Sequence, residues 1–150
     1  MDALQTLLSD AARAGVFQLT CEPRDAAQAA DAAGLACFRI DIGHAHDKGD
    51  FLRHLQQSMA FPEGFGGNWD ALFDCLKDLA WIGDAAGQKG FVVVLERSKH
   101  FGAGHRHEFE DAMSLMQDVA EYWRGQGRPF WTLIGGPEGW QSGYPAMAAS

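Results

Sequence analysis

The run Phe91-Val92-Val93-Val94-Leu95-Glu96 is the strongest constraint on how this chain can fold. Its three consecutive valines leave no polar face, so it predicts a strand buried on both sides. Such a strand belongs at the centre of a parallel sheet, with helices over each face. Two further strands are expected at Ala36–Ile42 (ACFRIDI) and Phe130–Ile134 (FWTLI). Helical periodicity fills the intervals. Lys48–Ala60 carries an apolar stripe of Phe51, Leu52, Leu55 and Met59. Glu108–Arg124 carries a longer one that includes Phe109, Met113, Met116, Val119 and Trp123, and Gly125 and Gly127 end it. Gly43–Asp47, Ile82–Gly90 and Arg97–His107 read as loops.

The N-terminal segment follows the same logic on a smaller scale. Leu4, Leu7, Leu8 and Ala11 predict a helix over Asp2–Ala14, with Gly15 as its C-cap. Val16–Thr20 is a short strand candidate, and the alanine-rich Arg24–Ala33 is a helix ended by Gly34. These residues are too few for a core of their own. Residues 1–34 are therefore expected to pack as an extension on one edge of a single domain spanning residues 35–135. Residues 136–150, rich in Gly, Pro and Ala, read as a mobile tail or a surface strap. The fold class is α/β: a three-stranded parallel sheet packed by helices, or a four-stranded one if Val16–Thr20 joins an edge.

Composition narrows the function. The net charge of −8 and pI near 5.0 argue against nucleic acid or an anionic membrane as a direct partner and fit a basic protein. No apolar run is long enough for a transmembrane helix. The opening MDALQTLLSDAARAG has an acid at position 2 and no basic n-region, so it does not read as a secretory signal. Cys21, Cys37 and Cys75 are odd in number and show no CxxC spacing, which fits a reducing cytoplasm and no structural zinc. Cys75 reads as a small, partly buried helix residue.

The stretch with chemistry is Phe61–Trp81, FPEGFGGNWDALFDCLKDLAW. A glycine-rich loop (Gly64, Gly66, Gly67) runs straight into an amphipathic helix. Asn68 is placed to cap that helix, and Asp70 falls in the first turn, where the dipole favours a negative charge. On a helical wheel Trp69, Leu72, Leu76 and Leu79 share the buried face. Asp70, Asp74 and Lys77 lie opposite, with Asp78 flanking and Phe73 between the faces. Acids on a helix are commonly just solvated surface. Here, however, the aromatic, the glycine lead-in and two aspartates one turn apart occur together.

The run Phe65-Gly66-Gly67-Asn68-Trp69-Asp70-Ala71-Leu72-Phe73-Asp74-Cys75-Leu76 resembles the signature of the barstar family, intracellular protein inhibitors of secreted ribonucleases. The family pattern is aromatic-Gly-x-Asn-x-Asp-Ala-Leu-aromatic-Asp-Cys-Leu, and Pro62-Glu63 also fits. The resemblance implies the barstar-like α/β architecture over Ala36 to about Gly135. It implies no catalysis, no cofactor, a basic ribonuclease as partner, and a monomer when free. It also implies roles. Asp74 matches the family's principal anchor carboxylate and Asp70 a second contacting acid. Phe73 stands where the family has an aromatic. Phe65, Gly66, Asn68 and Trp69 would line the rim, and Glu121 is the nearest match to a further contacting acid on the long helix. Two positions differ. Gly64 replaces a contacting aromatic, for which Phe65 partly substitutes, and Lys77 stands where a small or polar residue is common and could pair with Asp74.

Two other readings remain open at this level. The acidic face could neutralise a basic partner that is not a ribonuclease, as an immunity module does. Alternatively, His44-Ala45-His46-Asp47 and His105-Arg106-His107, with Glu108 and Glu110, could serve a metal-assisted hydrolase. Against the latter, the HxHxD spacing of metallohydrolases is not met, and paired loop histidines are more often solvated surface. The Gly64–Gly67 loop lacks the Lys-Ser/Thr of a P-loop, and no Ser-His-Asp or Cys-His constellation emerges from the spacing.

Overall fold

The computed structural model describes residues 3–61, 65–78 and 88–147. In chain order the elements are α1 (Ala3–Leu8), a 3-10 turn (Ala11–Arg13), β1 (Val16–Gln18), α2 (Pro23–Ala32), β2 (Ala36–Asp41), α3 (Lys48–Met59), α4 (Trp69–Asp78), β3 (Phe91–Glu96), α5 (Lys99–Gly104), α6 (Arg106–Gly125) and β4 (Phe130–Ile134). The four strands form one parallel sheet in the order β1-β4-β3-β2.

The all-apolar character of β3 now has its cause. Phe91, Val93 and Leu95 enter one core with residues of α3, α4, α5 and α6. Val92 and Val94 enter a second core on the opposite face with Leu7 and Leu8 of α1 and Ala26, Ala29 and Ala30 of α2. The alanines of α2 let that helix approach the sheet closely, and Trp131 of β4 fills the space beside them. Its indole N–H donates to the Leu8 carbonyl at 2.8 Å. Without the residues before 35, Val92, Val94, Trp131 and Leu133 would face water. The extension therefore completes a three-layer sandwich, and β1 adds a fourth strand at the edge beside β4.

The C-terminal segment is a strap over the described residues. Gln18 of β1 donates its amide to the Pro145 carbonyl at 2.7 Å and accepts from the Met147 amide at 3.0 Å. The exposed edge of β1 is thus paired, which removes a template for edge-to-edge association. Met147 is buried in the second core.

Two helix expectations need correction. The helix expected over Asp2–Ala14 stops at Leu8, because Asp10 accepts from the Ala12 amide at 3.0 Å and starts a separate 3-10 turn. The segment Arg97–His107, expected as loop, contains α5 and the first residues of α6. Its fold comes from tertiary contact: Phe101 is fully buried and stacks on Phe51, ring centroids 5.1 Å apart. The loop expected over 82–90 lies outside the described residues up to position 87. No helix among the described residues is long and apolar enough to cross a membrane.

Candidate functional site

The lead-in to α4 is built on an aromatic pair and one glycine. Phe65 is half-buried and packs edge-on against the buried Phe61, centroids 4.9 Å apart. Gly66 is exposed, and Gly67 takes φ +67°, a conformation that a side chain would disfavour. Asn68 then caps the helix: its Oδ1 accepts from the Ala71 amide at 2.8 Å, and its carbonyl accepts from the Leu72 amide at 3.0 Å. Replacing Asn68 by alanine should lower stability by about 1 kcal/mol, read from denaturant melts, without changing the fold. Gly64 and the preceding Pro62-Glu63, like Leu79 and Trp81, lie outside the described residues.

Packing holds α4 rigidly. Leu72 and Leu76 are fully buried, and the Trp123 indole of α6 donates to the Leu76 carbonyl at 2.9 Å. Trp69, expected on the buried face, is only half-buried. It lies at the end of the packed stripe, with Phe51 at 6.2 Å on one side and the Lys48 ammonium 5.0 Å from its ring. Asp70, Asp74 and Asp78 follow one another at single-turn intervals, and all three are exposed.

Lys77 behaves differently from the sequence expectation. Its ammonium does not turn to Asp74. It sits 4.4 Å from the Phe73 ring centroid and 5.7 Å from that of Tyr122 on α6. Both ring faces attract a cation, and the half-buried Phe73 is thereby fixed beside α6. Cys75 is half-buried, and burial, helped by Asp74 and Asp78, pushes its thiol pKa up. The same main cause raises Cys21, and lifts Cys37 to about 11. All three thiols are free and stay protonated near neutral pH, so none is an activated nucleophile.

A groove of about 430 Å³ runs between α4 and α6. Trp69, Phe73 and Leu115 form its apolar walls, and Asp70, Asp111 and Asp118 supply carboxylates. Among the described residues no basic side chain lines it. Asp111 and Asp118 were not singled out from sequence, although Asp111, Leu115, Asp118 and Tyr122 recur at helical spacing along one face of α6. Glu121 is exposed on the same helix but does not line the groove. Asp74 and Asp78 continue the exposed stripe beyond it.

The histidines do not form the sites their spacing suggested. His46 Nδ1 lies 3.2 Å from His100 Nε2, and the His105 ring is 5.8 Å from that of His100. His107 faces Asp111 at 3.7 Å on its own helix. Among the described residues no group of three or more His, Cys, Asp or Glu side chains is arranged to hold a metal ion.

No curated protein matches the chain. One family model does, described as Barstar (barnase inhibitor), over residues 35–135. That span runs from the residue before β2 through β4 and includes the capped α4, its acidic stripe and all of α6. The chain belongs to the barstar family.

Proposed function

We propose that this protein is an inhibitor that binds a basic ribonuclease and blocks its active site with residues 65–78 and the facing side of α6. The observation that carries this reading is the exposed stripe of Asp70, Asp74 and Asp78 on a helix locked into the core, beside a groove that no basic side chain lines among the described residues. A ribonuclease active site binds phosphate and is lined by cations. Carboxylates on a rigid support can take the place of phosphate through charge-assisted, often bidentate, hydrogen bonds to guanidinium groups. Rigidity lowers the entropy lost on association.

Phe73 and Trp69 add ring surface next to Asp70, which suits the planar face of an arginine as well as its charge. The net charge of −8 would steer a cationic partner toward the face and speed encounter. In this reading Asp74 is the anchor and Asp70 the second contact. Phe65, Gly66, Asn68, Trp69, Phe73, Lys77, Asp78 and Glu121 surround them. The protein itself catalyses nothing, works in the cytoplasm where its free thiols stay reduced, and is a monomer until its partner arrives.

Lys77 favours a second reading. Its ammonium already occupies the ring faces of Phe73 and Tyr122, where a partner's guanidinium would otherwise stack. A partner other than a ribonuclease, equally basic but docking differently, would be less affected by that cation. Capture of the partner on the immobilised full chain, followed by a nuclease assay of the eluate, separates the two. RNA cleavage by the captured protein supports the inhibitor. A basic partner with no ribonuclease activity supports the second reading and removes the first.

A further inference from the structure

The loops at the carboxyl end of the sheet enclose a second concavity, independent of the partner-binding face. The connection leaving β1 passes to α2, over one face of the sheet. The connections leaving β2 and β3 pass to α3 and α5, over the other. The β1 and β3 loops therefore diverge, and a crevice opens between them at the end of β4. In open parallel α/β sheets this divergence is where ligands bind. The crevice measures about 520 Å³, a size that suits a small molecule.

Its walls are mixed. Leu19, Pro23 and Pro137 provide apolar surface, and Arg97, His100 and two carboxylates provide polar groups. The carboxylates are not equivalent. Glu96 is held by Arg39 through Nε to Oε2 at 2.8 Å and Nη2 to Oε1 at 3.1 Å, so its charge is already matched. Glu22 is exposed and makes no capping bond to α2, so it is free to turn to water. Burial keeps the Cys21 thiol neutral, and it adds no charge to the wall. Pro23 opens α2, whose positive dipole end faces the crevice.

Arg97 is the distinctive element. It takes φ 56°, a left-handed backbone rare outside glycine, which places its side chain across the strand ends. Nε and Nη2 clasp Asp41 at 2.7 to 2.9 Å, and Nη1 takes no part in that pair. Gly43 lies directly beneath: a Cβ there would come 2.6 Å from the guanidinium carbon. The guanidinium is thus oriented in advance; Asp41 matches its charge as Arg39 matches that of Glu96, and Nη1 stays outside the pair as a hydrogen-bond donor. His100 Nε2 lies 3.2 Å from His46 Nδ1; with His46 as the donor of that bond, the His100 proton sits on Nδ1, where it can be donated to an anion.

We propose that this crevice binds a small organic anion, a carboxylate or phosphate on an apolar body, with its charge against Arg97 and His100 and its body against Leu19, Pro23 and Pro137. The test is an NMR titration of the isotope-labelled full chain with benzoate, with phenyl phosphate, and with benzyl alcohol as the uncharged probe. The expected result is saturable shifts of the Cys21, Arg97 and Gly136 amides with at least one anion and none with the alcohol. The anion that binds tells carboxylate from phosphate. Arg97→Asn, which tolerates the left-handed backbone, should weaken binding about tenfold or more, and so should His100→Gln at an exposed position. Weakening in either variant supports the site. The proposal is overturned if neither anion saturates at millimolar concentration, if the alcohol binds as well, or if both variants bind as tightly as the parent.

Discussion

Asp74→Ala is expected to weaken the complex with the ribonuclease by about 2–5 kcal/mol, between roughly thirtyfold and several thousandfold in Kd. The large size has a specific origin. In the proposed complex the Asp74 carboxylate leaves water and meets a guanidinium or ammonium group. Truncation removes the pair and leaves the partner's charge buried without a counter-ion, and that residual penalty dominates the loss. Asp31→Ala, an equally exposed acid on α2 across the sheet, should change Kd by less than about 0.5 kcal/mol. Titration calorimetry or surface binding at one fixed salt concentration checks both. Similar losses at Asp74 and Asp31 would mean that overall charge, and not the α4 stripe, makes the contact.

Leu72→Ala should cost about 2–5 kcal/mol of folding stability and lower Tm by roughly 5–15 °C. Leu72 is fully buried under α4, in the core that also holds Phe51, Leu76 and Met116. Removing its side chain opens a cavity that the surrounding rings and helices can only partly close. The effect on partner binding should be the reverse of the first prediction. Well below Tm the folded fraction still presents Asp70 and Asp74, so affinity should fall far less than in Asp74→Ala. Thermal melts and binding at low temperature, measured on the same preparations, separate support of the helix from contact with the partner.

These two residues also mark what could be read in advance. Leu72 and Asp74 sit in one periodic helix with a side-chain cap, and local pattern was enough to place both. β3 and β4 were legible for a similar reason: FVVVLE and FWTLI are unbroken apolar runs, and their observed bounds agree with the expected ones. α5 was not legible. KHFGAG carries two glycines, which lower helix propensity, and only one large apolar side chain. The structure explains the glycine at 102: a Cβ there would come 3.0 Å from the Trp140 indole, so the helix gives up propensity to admit the strap. That contact joins positions far apart in sequence and leaves no local signal.

Lys77 was misread for the same reason. From α4 alone Asp74 is its natural neighbour, and only the packing of α6 reveals Tyr122 as the other half of its seat. The groove shows the limit again. Asp111 and Asp118 follow a helical repeat that reads as ordinary solvated surface until Asp70 and Phe73 are set opposite. The extension was placed only coarsely from sequence. Its apolar residues are mostly alanines, and their purpose appears once Val92, Val94 and Trp131 are seen to need cover.

The central claim is that the α4 face occupies a ribonuclease active site. The direct measurement is a titration of the captured ribonuclease with the purified chain, following RNA cleavage at several substrate concentrations. The account predicts that activity falls to zero at an equimolar ratio, that RNA competes with the inhibitor, and that Asp74→Ala needs a large excess to reach the same inhibition. A saturated complex that still cleaves RNA, or inhibition that RNA does not relieve, would contradict it.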